Sequence, residues 1–175
     1  MKNIRLLAFV LAFCPLWAIA AETVTTQNFH TMASGGTLTF SNGNTVGETS
    51  FVTYTCSGGN TKFGNASESG NTTCIFVKSG GYFTTTAIPD LKKVKMVLTS
   101  NVTNMTFYYS VDNSSWVALA ADALLSSSQQ PVYVLPSTSR YYLKVAYGGS
   151  TFYVRSMQYT TEPSCNCLRL EMHNN

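Results

Sequence analysis

Apolar and polar residues alternate over short stretches of this chain. Residues 93–99 are the cleanest case: Val94, Met96 and Leu98 point one way, with Lys93, Lys95, Val97 and Thr99 the other. A period of two predicts a strand with one buried face. Residues 105–111 set Met105, Phe107, Tyr109 and Val111 against Thr106, Tyr108 and Ser110. Phe51–Cys56 sets Val52, Tyr54 and Cys56 against Phe51, Thr53 and Thr55. Shorter runs beginning at Leu38, and at Cys74–Lys78, Tyr82–Thr86, Trp116–Leu119 and Val132–Leu135, predict further strands, the last stopped by Pro136. Tyr141–Tyr147 and Phe152–Tyr159 flank Gly148-Gly149-Ser150 and predict a hairpin. Ser57–Asn71 reads as a long Gly/Asn/Ser loop and Ile88-Pro89-Asp90 as a connection. Ala120–Leu125 is the one stretch suited to a turn or two of helix. The sum is about ten short strands, which predicts an all-β, antiparallel sandwich of the jelly-roll kind, with a closed barrel as the alternative.

Composition sharpens this picture. The 175 residues hold 23 Thr and 19 Ser, and only 11% are charged. Thr and the 13% aromatic residues favour pleated sheet, Ser turns, and the aromatics supply burial. A helical bundle and a disordered chain are both disfavoured. Residues 1–20 read as a secretory signal: Lys2 and Arg5, an apolar run from Ile4 to Trp17, then Ala18-Ile19-Ala20 as a cleavage site. Leu11-Ala12-Phe13-Cys14 is a looser lipoprotein-like box, so lipid anchoring at Cys14 is the minority alternative. The expected location is secreted, periplasmic or cell-surface, with no integral membrane segment in the mature chain. The expected organisation is a signal peptide over 1–20, a flexible segment over 21–36, the sandwich over 37–162 and a tail over 163–175. Without Lys2 and Arg5 the eleven basic residues fall by two against eight acidic ones, leaving the chain close to neutral. That excludes a nucleic-acid footprint, and Lys92, Lys93 and Lys95 read as a solvated strand face.

Four cysteines remain after such a cleavage: Cys56, Cys74, Cys165 and Cys167. In an oxidising compartment a Cys56–Cys74 disulfide is the favoured pairing, as each lies in a β-like run joined by a polar loop. Cys165, Cys167 and His173 form a weak metal constellation with no second ligand pair at zinc-like spacing, so no metal is expected there. No cofactor is expected, with a structural calcium ion in a loop left open. Enzyme chemistry finds few groups. His30 and His173 lie outside the expected core strands, and Glu48 with Glu68, or Asp90 with Asp112, are more simply loop residues than facing carboxylates.

The hairpin Ser110-Val111-Asp112-Asn113-Ser114-Ser115-Trp116 resembles the "S-x-D-G-x-x-W" turn of galactose-binding-like jelly rolls, which include discoidin-type domains and many carbohydrate-binding modules. With Tyr82-Phe83-Thr84-Thr85, Ile88 to Val94 and the closing aromatic strands, residues 82–159 resemble β-sandwich modules of secreted Bacteroidetes polysaccharide-utilisation proteins. Asn113 stands where that family has Gly, a change a left-handed turn position tolerates. The resemblance implies a sugar-binding or adhesive accessory role and carries over no site.

The residues themselves offer a candidate face. Opposite the apolar sets of three later strands stand Tyr108, then Tyr142 and Lys144, then Tyr153 and Arg155. If those strands share a sheet, three rings and two cations share its outer face, which suits a sugar. Cross-strand tyrosine packing alone also accounts for such a row. The functional expectation is a non-catalytic binding module for a polysaccharide or other glycan. A structural or adhesive protein that binds another protein is the alternative, and a lyase or hydrolase fragment a third reading.

Overall fold

The computed structural model describes residues 21–34, 45–59, 61–66, 72–99, 102, 104–125, 130–149 and 151–162. The expected signal segment with Cys14, the strand beginning at Leu38, and the tail with Cys165, Cys167 and His173 lie outside these residues. Twelve strands and one short helix follow along the described chain: β1 Thr23–Asn28, α1 Phe29–Ser34, β2 Val46–Glu48, β3 Thr53–Ser57, β4 Lys62–Ala66, β5 Thr72–Lys78, β6 Tyr82–Thr85, β7 Ile88–Leu98, β8 Met105–Ser110, β9 Val117–Leu119, β10 Ala123–Leu125, β11 Gln130–Tyr147 and β12 Thr151–Thr161. All pairings are antiparallel.

The strands form two sheets. The first runs β4-β5-β12-β7-β11-β10, and β1 continues beside the later half of β12. The second runs β2-β3-β6-β11-β8-β9. β11 belongs to both. Val132 to Tyr141 pairs with β7, and Tyr142 to Tyr147 pairs with β8. Its register slips between Val134 and Ser139 and again before Tyr141. Pro136 sits in the first slip. Proline cannot donate to a ladder, but a bulge leaves its position without a ladder partner and bends the strand. The expected break at Pro136 is therefore a corner within one 18-residue strand.

The alternation seen in the sequence sets the faces. Val94, Met96 and Leu98 of the first sheet are buried, as are Val52, Tyr54 and Cys56 beside and on β3, and Leu143 and Val145 on β11. Phe107 stacks on Tyr133 with ring centroids 4.0 Å apart and planes 9° from parallel. Tyr54 and Tyr159, from opposite sheets, meet hydroxyl to hydroxyl at 2.8 Å, and the Tyr159 hydroxyl donates to Met157 Sδ. Burial raises the pKa of both phenols well above the usual range.

Several expectations are corrected. Residues 21–36 do not form only a flexible lead-in: β1 pairs with β12 along its whole length, and Asn28 Oδ1 accepts from Thr31 N to cap α1. Within the expected Ser57–Asn71 loop, Lys62–Ala66 is β4, held by β5 and by the buried Phe63. Ala123–Leu125 is strand, not helix, because β11 supplies an open edge. Ile88-Pro89-Asp90 is the start of β7 and not a connection. Val111 is 64% exposed, because β8 ends at Ser110 and the chain leaves the sheet there. Cys56 and Cys74 are buried thiols that are not bonded to each other. They stand on strands of opposite sheets, and the Cys74 thiol donates to the Gly64 carbonyl on its neighbouring strand. Burial pushes the Cys56 thiol up to about 12. The Gly148-Gly149 connection does not make a hairpin either. β11 enters it from the second sheet and β12 leaves it in the first, and the two strands are not paired.

Candidate functional site

Parity along the end of β11 turns two side chains outward. Tyr141, Leu143 and Val145 are buried, so Tyr142 and Lys144 stand on the outer face of the second sheet. Lys144 lies between Thr84 of β6 and Tyr108 of β8. Tyr82, two residues before Thr84, pairs with Ala146 and so sits diagonally across from Lys144. On the far side of β6, Thr55 and Ser57 of β3 pair with Thr84 and Tyr82.

The β8–β9 turn brings the third ring. Asp112 Oδ1 accepts from Ser114 N at 2.8 Å, Ser115 N at 2.7 Å and Ser110 Oγ at 2.8 Å, and Oδ2 accepts from Ser115 Oγ at 2.9 Å. This is an aspartate turn that satisfies its own backbone. The hydrogen bonds from the Ser115 and Ser114 amides, more than any other cause, hold the Asp112 carboxyl far below its ordinary range. Asn113 takes the left-handed conformation at φ 61°, as expected for a residue standing in for glycine. The turn delivers Trp116 over the sheet. Because the folded carboxyl is the more acidic, the turn's contribution to stability is full above about pH 5, declines as pH falls through the ordinary carboxylate range where the unfolded chain takes up the proton, and is lost only below the far lower folded value. Asp112→Ala should speed amide exchange at Ser114 and Ser115 by on the order of tenfold, read by hydrogen-exchange NMR, with the core strands unchanged.

Lys144 Nζ then stands 4.6 Å from the ring centroid of Tyr82, 5.6 Å from that of Tyr108 and 5.6 Å from that of Trp116. Each distance is within cation–π range. Beside this group opens a cleft of about 300 Å³, lined by Thr55, Ser57, Tyr82, Thr84, Asn113, Trp116 and Lys144. The volume is at the small end for ligand clefts. Its lining offers flat rings, hydroxyls, an amide and one ammonium, with no carboxylate or imidazole. Four residues before Lys144, at the register slip of β11, the Arg140 guanidinium lies 6.0 Å from the Tyr142 ring.

The five residues singled out from the sequence divide between the sheets. Tyr108, Tyr142 and Lys144 share the outer face of the second. Tyr153 and Arg155 lie on β12 in the first, so the premise that the three strands share one sheet fails. The Tyr153 ring packs edge-on against its cross-strand neighbour Phe76 at 4.8 Å. Trp116, Tyr82 and the β3 hydroxyls were missed. The parity signal for Tyr82 was present, since it alternates with the core residue Phe83. Trp116 is one of two tryptophans, the other being Trp17 in the expected signal. A second cleft, of about 410 Å³, lies on the first sheet between Lys93, Lys95 and Asp122 and has no aromatic ring in its lining. Among the described residues no three His, Cys, Asp or Glu side chains gather to hold a metal. No helix among them is long and apolar enough to cross a membrane.

No protein-family model matches this chain, and no curated protein matches it. Among solved structures it is similar to CBM32-1 from a family 31 glycoside hydrolase of Clostridium perfringens, at 13% identity and a TM-score of 0.41, over 61% of this chain and 92% of that one. It is also similar to a structure from work on glycan recognition by the Ruminococcus flavefaciens cellulosome, at 15% identity and a TM-score of 0.41, over 82% of this chain and 97% of that one.

Proposed function

We propose that this chain is the binding module of an exported protein and that it holds a glycan on the outer face of its second sheet. The observation that carries the reading is the half-buried group of Tyr82, Tyr108 and Trp116 around Lys144, beside an open cleft edged by hydroxyls. Sugar rings present C–H faces that lie on aromatic rings, and hydroxyls that need donors and acceptors. The cleft supplies both within one sheet face. The role this supports is binding: the described lining offers rings, hydroxyls, an amide and an ammonium, the groups that hold a sugar. The signal-like residues 1–20 support export to where polysaccharides are met.

In this reading Tyr108 and Lys144 contact the ligand, Tyr142 flanks it, and Tyr153 and Arg155 take no part. Trp116→Ala should weaken binding about 100-fold and Tyr82→Ala about tenfold, within the 1–3 kcal/mol range for truncating a ring that a ligand stacks on. Tyr142→Ala should have a smaller effect and Tyr153→Ala none. Affinity electrophoresis against a panel of soluble polysaccharides reads all four variants. If Tyr153→Ala lowers affinity and Trp116→Ala does not, the platform is on the other sheet.

A further inference from the structure

We infer that the glycan taken by this face is an acidic one, with a carboxylate or sulfate group seated on Lys144; this rests on the reading of the face as a glycan platform. The lining of the cleft carries one full positive charge and no full negative one. Lys92, elsewhere on the surface, shows what this fold does with a lysine that needs only a structural partner: Glu22 and Glu162 hold it at 2.7 and 2.9 Å. Lys144 instead faces three rings, and among the described residues no carboxylate lies within ion-pair distance of it. Ring faces hold an ammonium in place through their quadrupoles, but they do not neutralise its charge. The half-buried setting also removes part of the water that would otherwise screen it. A neutral sugar would leave that charge unanswered in the cleft, whereas an anionic one answers it while its ring covers Trp116 or Tyr82.

The charge also repeats along the strand. Arg140 lies exposed at the register slip just before Tyr142 and Lys144, with its guanidinium against the Tyr142 ring. Arg140 and Lys144 are four residues apart, about 13 Å of extended backbone. A polymer lying along β11 with anionic groups on successive units meets a cation, a ring and a second cation in turn.

The test compares ligands on the unmodified protein. Polygalacturonate is set against its methyl ester, and a sulfated galactan that has no carboxyl groups against its desulfated form, by isothermal titration. At least one acidic polymer should bind about tenfold or more tighter than its neutral counterpart, and the arm that does so tells carboxylate from sulfate. That affinity should fall about tenfold between about 50 and 500 mM NaCl, as a charge contact still partly open to solvent requires. Lys144→Gln should lose about tenfold on the acidic polymer and Lys144→Arg should keep most of the parent affinity, each with the parent's thermal midpoint. Equal binding of acidic and neutral forms, lost in Trp116→Ala but kept in Lys144→Gln, overturns the acidic ligand and leaves the glycan platform standing. Absence of binding to any polymer overturns both.

Discussion

Phe63→Ala should destabilise the fold by about 3–5 kcal/mol, the usual loss for deleting a fully buried aromatic ring. Phe63 is 0% exposed, with its centroid 6.0 Å from that of Phe29 and 6.3 Å from that of Tyr54. It therefore joins α1, β4 of the first sheet and β3 of the second around one ring. Gly47 of β2 faces the same ring so closely that an added Cβ would collide with it. The cavity left by Phe63→Ala would have the rigid backbone of β2 on one side, which limits collapse. Guanidinium unfolding followed by tryptophan fluorescence reads the loss as a lower midpoint. A loss under about 1 kcal/mol would mean that β4 is not seated in the core.

Tyr159→Phe should cost more than Tyr54→Phe. The Tyr159 hydroxyl donates to Met157 Sδ, which leaves Tyr54 as the donor in the bond between the two phenols. Removing the Tyr159 hydroxyl strands a buried donor, at about 1–3 kcal/mol. Removing the Tyr54 hydroxyl takes away one bond and leaves Tyr159 still donating, at about 0.5–1.5 kcal/mol. The double variant should cost less than the two singles together, because neither side then keeps an unanswered group. Both raised phenol pKa values also predict that neither tyrosine ionises at pH 10 in the folded protein, whereas both do once unfolded. A group whose folded pKa is raised contributes its stability below the unfolded value. Fold stability should therefore decline as pH rises above about 10, seen together with the tyrosinate absorbance.

Local alternation carried much of the fold. The inward faces of Val94–Leu98, Val52–Cys56 and Leu143–Val145 follow from a period of two, since a one-residue slip would put each set in water. Sheet membership was not legible, because it depends on partners distant in the chain. Two neighbouring strands around Gly148-Gly149 look like a hairpin whether the turn closes a ladder or crosses between layers. That ambiguity split the candidate site. Tyr108, Tyr142 and Lys144 were readable as outward residues, whereas the exclusion of Tyr153 and the entry of Tyr82 needed the pairing of β11 with β6. The Cys56–Cys74 expectation failed for the same reason, as β4 occupies part of the assumed loop and ties Cys74 to the first sheet. Phe63 was hidden by its surroundings, a single aromatic among Gly, Asn and Ser.

The place of β12 has a consequence for when the molecule can fold. It is the latest described strand in the chain, yet it lies inside the first sheet, with β7 on one side and β5 and β1 on the other. Thr161 reaches back to Thr23 across 138 positions. Until residues 151–161 have emerged from the ribosome, β1, β5 and β7 have no common neighbour, and the first sheet is left in pieces, β4-β5 apart from β7-β11-β10. Ladders this distant in sequence close slowly, on the millisecond-to-second scale typical of sandwiches. The first sheet of the nascent chain thus stays divided through most of synthesis, and β12, the latest described strand, joins its two pieces.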